Sequence, residues 1–312
     1  MSKTHKSKPK LPNQPANFGD WVSASRPATL GLAIAPVVLG YGVGHFGLLL
    51  SDQPEPENQS GLIALLCAAV AIFLQIGVNF ANDYSDGIRG TDENRSGPKR
   101  LTASGVVPAK QVRSVAFAFF GFAALSGLAL TLISQVWWLP IMGLFAITAA
   151  WYYTGGKRPY GYTGFGELAV FLFFGLVATS GTSFLVSGFI SLDALLAGAT
   201  QGLFAAAVLH INNLRDREND LKAGKRTLAT RMSPLAGKWF FGVLILLPFV
   251  SAALFSVYLS GAPLVFLCLF SAIPAVLISS TAKTPRELVL ALKLTVLTSL
   301  AYCCLLAMAF AL

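Results

Sequence analysis

The segment GLIALLCAAVAIFLQIGVNFANDYSDGIRGTD, residues 61–92, decides the class of fold. Residues 58–82 contain no Asp, Glu, Lys or Arg, and Asp83, Asp86 and Asp92 then follow within ten positions. An apolar helix of about 20 residues is long enough to cross a bilayer core. Because carboxylates at the end of such a helix are costly to desolvate, we expect them to have a function.

The same pattern recurs along the chain, which is 54% hydrophobic and only 12% charged over 312 residues. A soluble protein of this length cannot bury so much apolar surface. The stretches without a charged residue are 27–51, 58–82, 114–156, 168–192, 194–214, 239–282 and 294–312. Two of them are long enough for two crossings, and each contains turn signals, at 134–140 and 260–263. We therefore predict an all-α integral membrane protein with nine transmembrane helices.

The basic residues predict the orientation of these helices. With nine crossings, all 23 Lys and Arg residues fall on one side, whereas Asp52, Glu55, Glu57 and Asp193 fall on the other. The positive-inside rule then predicts a cytoplasmic N-terminus and an external C-terminus in the cytoplasmic (inner) membrane. The net charge of +9 reflects this topology and contact with membrane lipid, not binding of nucleic acid. No pattern indicates an oligomeric state.

The composition divides the chain into two segments. Residues 1–20 are basic and rich in Pro and Asn, and we predict a disordered cytoplasmic tail. Residues 21–312 then form a single transmembrane domain.

The chain contains two similar polar clusters. The first is NFANDYSDGIRGTD at 79–92, and the second, HINNLRDREND at 210–220, closes an apolar stretch four crossings later. The repetition predicts two parallel four-helix units plus one further helix.

Each cluster places its polar residues on one helical face. The predicted stripes are Asn79, Asp83 and Asp86 in the first cluster and Asn213, Asp216 and Asp220 in the second. Both stripes reach the same, cytoplasmic, side. The alternative is that they are solvated helix ends with ordinary loop carboxylates, and the matched pair makes this alternative weaker.

The residue types in and around the stripes indicate a ligand. Carboxylate and amide oxygens favour a hard cation such as Mg²⁺, which completes its shell with water and phosphate oxygens. The surrounding loops supply cations: Arg89, Lys99, Arg100, Lys157, Arg158, Arg215, Lys222, Lys225, Arg226 and Arg231. Acids and bases together on one face predict a metal-bridged phosphate or diphosphate whose lipid tail lies in the membrane.

At this level the motifs resemble those of a known family. NDYSDGIRGTD (82–92) with GPKRLTASG (97–105), YTGGKRPYGYTGFGE (153–167) and NNLRDRENDLKAGKRTLATR (212–231) are similar to the signatures of the UbiA superfamily of intramembrane prenyltransferases. Within it they look most like the branch that acts on 1,4-dihydroxy-2-naphthoate in menaquinone biosynthesis. The resemblance covers about residues 21–312 and implies nine helices around a central cavity.

The resemblance also implies a metal site and a donor site. Two Mg²⁺ ions would bridge the diphosphate of a polyprenyl diphosphate, and their ligands would be Asp83, Asp86, Asp216, Asp220 and Asp92. Asp92 stands two positions beyond the family's last motif acid, which would fall at Gly90. The residues implied to bind the diphosphate are Arg26, Asn82, Lys157, Arg158, Arg215 and Lys225.

Several residues near the expected acceptor site have two possible roles. Tyr153 is the candidate for stabilising an allyl cation, with Tyr160 and Tyr162 beside it, although Tyr162 also fits an interfacial aromatic belt. The candidates for binding the acceptor are Asn79, Asn213, Tyr160 and Glu167. A carboxylate at position 167 would also suit a helix N-terminus. His210 either relays a proton or packs as a polar core residue.

The activity implied by the resemblance is transfer of the polyprenyl group to 1,4-dihydroxy-2-naphthoate. Carbon dioxide would be lost, and the product would be demethylmenaquinone. Another aromatic acceptor, such as 4-hydroxybenzoate or homogentisate, is the alternative within this class. A secondary transporter is the alternative outside it, because transporters also combine repeats with intramembrane polar groups. The clustering of acids at one face, with few polar residues on the other, argues against transport.

Overall fold

The computed structural model describes residues 16–51, 59–90 and 100–311, and its regular structure there is entirely helical. The helices are α1 (Phe18–Ala24), α2 (Gly31–Leu50), α3 (Gln59–Arg89), α4 (Ala109–Ser134), α5 (Leu139–Thr154), α6 (Gly166–Ser187), α7 (Leu192–Lys222), α8 (Leu228–Arg231), α9 (Pro234–Phe255), α10 (Ala262–Thr281) and α11 (Pro285–Ala311). Among these residues, eight helices are long and apolar enough to cross a membrane. The predicted all-α, multi-pass membrane class is thereby confirmed.

The ninth predicted crossing corresponds to α5, which is apolar but only 16 residues long. It arises from the first of the two double-length stretches. The chain turns between α4 and α5, where Gln135 has a left-handed backbone with φ of 55°. Pro140 then occupies the first turn of α5, where its missing N–H costs no helical hydrogen bond. The second double-length stretch divides in the same way, between α9 and α10.

Helix α7 lies at the centre of the bundle and packs against α2, α6, α9 and α11. Its side chain Phe204 is fully buried and meets Tyr302 of α11 edge to face, with ring centroids 5.0 Å apart. The outer faces of the bundle carry exposed large apolar side chains, among them Leu125, Val257 and Phe270. Exposed apolar surface of this kind suits contact with lipid.

Glycines bring α6 unusually close to α7. A Cβ atom added at Gly175 would lie 2.4 Å from the Cα of Gly202 and 2.5 Å from the carbonyl oxygen of Gly198. Small residues at such a contact let two backbones approach directly. The contact lies within a π-helical part of α6, Phe171–Ser180. It fixes α6, and the loop that precedes it, against the helix that carries the second polar cluster.

Helix α3 continues through the first polar cluster and ends at Arg89. The Arg89 guanidinium then donates to the carbonyl oxygen of Thr154 and, at 2.5 Å, to that of Gly156. This arginine ties the end of α3 to the end of α5. At the N-terminus, α1 begins at Phe18, so its first turn lies within the segment expected to be a disordered tail, 1–20.

Candidate functional site

A polar cavity opens at the end of the bundle where α3 and α7 both finish. Its lining consists of Arg26, Asn82, Asp86, Arg100, Tyr153, Thr154, Gly161, Tyr162, Leu209, Asn212, Asn213, Asp216, Asn219, Asp220, Lys225 and Thr227. The residues of this set that the sequence analysis named are Arg26, Asn82, Asp86, Arg100, Tyr153, Tyr162, Asn213, Asp216, Asp220 and Lys225. The two polar clusters therefore meet in space, as their matched positions predicted.

Lys225 lies between Asp86 of the first cluster and Asp220 of the second. Its Nζ atom is 3.3 Å from Oδ1 of Asp86 and 3.8 Å from Oδ1 of Asp220. Arg100 approaches the other oxygen of Asp86, with Nη2 at 3.7 Å from Oδ2. Each of these four residues is at least nine-tenths buried. The buried carboxylates are thus paired with buried cations, which offsets the cost of removing them from water.

Tyr162 completes the surroundings of Asp86. It ends a short 3₁₀ turn, Tyr160–Tyr162, and its hydroxyl donates to Oδ1 of Asp86. The Nζ atom of Lys225 lies 4.5 Å from the centroid of its ring. Burial, followed by the negative charge of Asp86, raises the pKa of Tyr162, so its hydroxyl remains a proton donor. The structure thus places Tyr162 in the cavity and not in an interfacial belt.

The first polar cluster divides into two groups. Asn82 and Asp86 line the cavity, whereas Asp83 is fully buried outside it. The carboxylate of Asp83 accepts the backbone N–H groups of Leu101 and Thr102, each at 2.9 Å. A rotation of about 100° per residue separates position 83 from position 82 around the helix. Asp83, expected as a metal ligand, instead anchors the chain segment that follows the first cluster.

Two further predicted residues have structural partners. Asn79 is buried, and its Nδ2 atom donates to the carbonyl oxygen of Ser25 at 2.8 Å. The hydroxyl of Tyr160 donates to the carbonyl oxygen of Ala149 at 2.9 Å. Burial raises the pKa of Tyr160 to about 12. Neither residue lines the cavity, although the Tyr160 ring packs edge-on against Tyr153, with centroids 5.5 Å apart.

The predicted diphosphate-binding cations also divide. Arg26 and Lys225 line the cavity, whereas the guanidinium of Arg215 forms a two-point contact with Asp216, at 2.8 and 2.7 Å. Lys157 and Arg158 are exposed and do not line the cavity. In the part of the chain that the structure describes, the cations of the cavity are Arg26, Arg100 and Lys225. Asp92 and Lys99 lie outside the described residues.

Glu167, predicted to bind the acceptor or to cap a helix, lies in a buried cluster beside the cavity. Its Oε1 atom accepts a hydrogen bond from Nδ2 of Asn213 at 3.0 Å and lies 3.1 Å from Nδ1 of His210. Glu167 stands in the first turn of α6, where a carboxylate suits the helix N-terminus, and the N-cap residue itself is Phe165. His210 is fully buried. Of this cluster, only Asn213 lines the cavity.

The donor set of the cavity suits a hard cation. Asp86, Asp216 and Asp220 supply carboxylates, and neighbouring asparagines supply amide oxygens. No three acidic, histidine or cysteine side chains converge on one point among residues 16–51, 59–90 and 100–311. Mg²⁺ is usually bound through one or two carboxylates, with water and substrate phosphate as the other ligands. The residues present therefore fit magnesium that is held jointly with a phosphorylated substrate.

Some lining residues were not predicted. Asn212 and Asn219 belong to the second cluster and stand four residues before and three residues after Asp216. Their helical spacing would have identified them. Thr154 and Thr227 had no comparable signal. The hydroxyl of Thr154 donates to Oδ1 of Asn82 at 2.7 Å, a contact between α5 and α3 that spacing within one helix does not reveal.

Comparison with known proteins gives a consistent family. The model of the UbiA prenyltransferase family matches residues 33–292. A 1,4-dihydroxy-2-naphthoate octaprenyltransferase of Mycobacterium tuberculosis is 46% identical over 220 residues, which cover 70% of this chain and 71% of the relative. A protein of the same name from Escherichia coli is 36% identical over 249 residues, which cover 76% of each chain.

Solved structures show the same fold at low sequence identity. A UbiA homologue from Archaeoglobus fulgidus, solved bound to GPP and Mg²⁺, superposes with a TM-score of 0.61 at 15% identity. The match covers 93% of this chain and 99% of that one. The structure of a UbiA homologue from Archaeoglobus fulgidus bound to DMAPP and Mg²⁺ gives a TM-score of 0.59, also at 15% identity.

Proposed function

Because the chain belongs to the UbiA prenyltransferase family, we propose that it transfers a polyprenyl group from a polyprenyl diphosphate to 1,4-dihydroxy-2-naphthoate. Two relatives named for this acceptor are 46% and 36% identical to the chain. The observation that carries the proposal is the cavity in which acids from α3 and α7 meet Arg26, Arg100 and Lys225. A diphosphate requires both kinds of residue in one place, because its charge is neutralised by metal and by side-chain cations together.

Two Mg²⁺ ions are the proposed cofactors, held by Asp86, Asp216 and Asp220 with the amide of Asn82. Bound there, magnesium would supply positive charge that stabilises the departing diphosphate. Arg26, Arg100 and Lys225 would bind the same leaving group and stabilise the charge that develops on it. Lys157 and Arg158 are proposed only as outer contacts, because both side chains are exposed. A metal role for Asp92 stays a prediction from the sequence.

The reaction breaks the carbon–oxygen bond between the allylic carbon and the diphosphate, which leaves with the electron pair. The ring of Tyr153, which lines the cavity, would stabilise positive charge on the allylic carbon. A new carbon–carbon bond then forms at the ring carbon that bears the carboxylate. Loss of carbon dioxide returns the electron pair to the ring and gives the reduced form of demethylmenaquinone. Exclusion of water by the surrounding bundle would protect the cation from conversion to an alcohol.

The membrane arrangement proposed for this activity has nine crossings, with α5 as the shortest, in two parallel four-helix units plus α11. The N-terminus lies in the cytoplasm and the C-terminus outside, in the cytoplasmic membrane. This orientation rests on the one-sided distribution of the 23 basic residues. It places the diphosphate cavity at the cytoplasmic face, where a soluble aromatic acid can enter, while the polyprenyl tail remains in the bilayer.

Alanine substitutions of the cavity acids test the proposal. Asp86→Ala, Asp216→Ala and Asp220→Ala should each lower turnover by at least about 10²-fold, the scale for loss of a main electrostatic stabiliser. Asp193→Ala is the matched control, since Asp193 accepts a hydrogen bond from Tyr258 at the start of α7, far along the helix from the cavity. Full activity in the three variants, or full activity after removal of Mg²⁺ by a chelator, would contradict the proposal.

A further inference from the structure

The buried cluster beside the cavity joins the first turn of α6 to the middle of α7. Oε1 of Glu167 is 3.1 Å from Nδ1 of His210 and accepts from Nδ2 of Asn213 at 3.0 Å. Glu167 is 5% exposed and His210 is 0% exposed. The second carboxyl oxygen of Glu167 is buried and has no hydrogen-bond partner among the described residues. A polar cluster built at this depth needs a reason beyond packing, because apolar side chains would be cheaper to bury.

His210 fixes the position of Glu167. Its Nε2 atom lies 3.1 Å from the carbonyl oxygen of Gly237, which can only accept a hydrogen bond. Nε2 must therefore carry a proton and donate it to that oxygen. Nδ1 then faces the carboxyl group of Glu167 across a contact that holds one proton, carried by either partner. Both ring nitrogens are thus engaged, and the imidazole cannot turn without losing a buried hydrogen bond.

Glu167 in turn fixes the amide of Asn213. A carboxylate oxygen accepts hydrogen bonds, so the amide nitrogen of Asn213 must be the atom that faces it. The amide oxygen, Oδ1, then lies on the opposite side, and no donor to it is present in the described part of the chain. Since Asn213 lines the cavity, this oxygen is a fixed hydrogen-bond acceptor for a bound molecule.

The depth of Asn213 indicates which molecule that is. Asn213 precedes Asp216 by three residues, so it lies about 4.5 Å further along α7, away from the acids and towards the interior of the bundle. Tyr153 and Leu209 line the cavity with it; Leu209 cannot bind a diphosphate, and Tyr153 offers one hydroxyl but no positive charge. The reacting carbons, and not the leaving group, belong at this level.

We propose that Oδ1 of Asn213 accepts a hydrogen bond from a ring hydroxyl of the aromatic acceptor, and that Glu167 and His210 are the positioning residues that orient it. This inference rests on the proposed prenyl transfer to a hydroxylated aromatic acid. A hydroxyl that donates to a fixed acceptor makes the ring more electron-rich and holds one ring carbon towards the allylic carbon. Asn213 is thereby the residue that selects hydroxylated rings.

The test compares acceptors that differ by one hydroxyl, using the full-length protein in liposomes with a fixed polyprenyl diphosphate. The acceptors are 1,4-dihydroxy-2-naphthoate, 1-hydroxy-2-naphthoate and 4-hydroxy-2-naphthoate. The hydroxyl preference is the ratio of kcat/KM for the dihydroxy acid to kcat/KM for the analogue that lacks the bonded hydroxyl. Asn213→Ala should shrink this preference by about 10-fold, the scale for one hydrogen bond whose partner is otherwise buried, and should leave the ratio for the other analogue unchanged. The KM for the diphosphate should stay unchanged.

Glu167→Ala should shrink the same preference, and the double variant should lose no more than either single variant, because Glu167 acts through Asn213. An exchange of the two side-chain types separates positioning from packing. Asn213→Asp alone places two carboxylates in contact and should abolish most activity. Adding Glu167→Gln restores an amide–carboxylate pair with the same net charge, and most of the hydroxyl preference should return. Glu218→Gln, on the exposed face of α7, is the matched control and should change nothing.

The outcomes distinguish this inference from the proposed function. Equal losses with all three acceptors in Asn213→Ala and Glu167→Ala would overturn the hydrogen bond while leaving prenyl transfer intact. A raised KM for the diphosphate with an unchanged hydroxyl preference would overturn it as well and assign Asn213 to the donor. A wild-type protein that prenylates none of the acceptors would overturn both the proposed function and the inference that rests on it.

Discussion

Asp86 is the residue at which the requirements of folding and of chemistry meet. It stands near the end of an apolar helix and is 4% exposed, yet Tyr162, Lys225 and Arg100 all approach its carboxylate. These partners come from three different segments of the chain. The buried carboxylate is therefore paired with cations, and these partners are also groups that the proposed diphosphate would need. Such a site can exchange side-chain contacts for substrate contacts with little reorganisation.

Lys225 is expected to contribute to catalysis through its charge. Lys225→Met keeps the length of the side chain and removes the charge, so it should lower kcat/KM for the polyprenyl diphosphate by about 10²-fold. The KM for the aromatic acceptor should stay within a factor of about two, since the lysine lies beside Asp86 and Asp220, on the side of the cavity proposed for the diphosphate. The matched control is Lys222→Met, because Lys222 ends α7 three residues before Lys225 but is exposed. Equal effects of the two substitutions would contradict this role.

Asp83 and Asp86 are expected to differ in their response to magnesium. Asp86→Asn should raise the Mg²⁺ concentration needed for half-maximal turnover, because Asp86 is a proposed metal ligand and an amide binds magnesium more weakly than a carboxylate. Asp83→Asn should leave that concentration unchanged and lower the thermal unfolding temperature, since it removes one of the two acceptors for the backbone N–H groups of Leu101 and Thr102. If the Mg²⁺ concentration for half-maximal turnover rose equally in both variants, Asp83 would be a metal ligand after all, and this prediction would be wrong.

At the residue scale, the sequence predicted more of the second cluster than of the first. The spacing of Asn213, Asp216 and Asp220 placed all three on the face that lines the cavity. In the first cluster, adjacent positions 82 and 83 are both polar, and the spacing alone does not say which one faces the cavity. The decision depends on where residues 101 and 102 pack, which is a tertiary contact. Likewise, the guanidinium of Arg215 donates to the carboxylate of its neighbour Asp216, and no pattern in the sequence indicates this contact.

At the element scale, the close approach of α6 and α7 holds the cavity wall in place. Gly175→Ala should destabilise the protein by about 1–3 kcal/mol, because the added Cβ would meet the backbone of α7 at 2.4 Å. Gly181→Ala is the matched control in the same helix, since nothing lies within 4 Å of its added Cβ. It should be neutral or stabilising, as alanine is the better helix former. Thermal unfolding in detergent measures the difference, and equal unfolding temperatures would contradict the packing argument.

Helix boundaries followed the sequence where charge and turn residues marked them. Both double-length apolar stretches divide at the predicted turns, and within the described residues eight helices are long and apolar enough to cross a membrane. The length of α5 was not predictable in the same way. It is limited at its C-terminal end by Gly155, which leaves the helical conformation, and by the contacts of Arg89 with Thr154 and Gly156. The contacts with the end of α3 are thus made at the point where this helix stops.

At the scale of the whole molecule, the distribution of charge predicts a single orientation. Cysteines introduced at the exposed positions Lys157 and Lys222 should react with a membrane-impermeant reagent only after the cells are opened. A cysteine at Ile190, which is 58% exposed at the other end of the bundle, should react in intact cells. The native cysteines give little background, because Cys67, Cys268 and Cys303 are buried and Cys304 is half-buried. Labelling of a cysteine at position 222 in intact cells would contradict the predicted orientation.

The central claim is that the molecule joins a polyprenyl group to the carbon of 1,4-dihydroxy-2-naphthoate that bears the carboxylate. The most direct measurement uses this acid with an isotopic label in its carboxyl group, together with a polyprenyl diphosphate, Mg²⁺ and the protein in liposomes. We predict that labelled carbon dioxide is released in equal amount to the prenylated lipid formed, and that the lipid itself carries no label. A prenylated lipid that retains the label would contradict the claim, as would formation of no prenylated naphthalene at all.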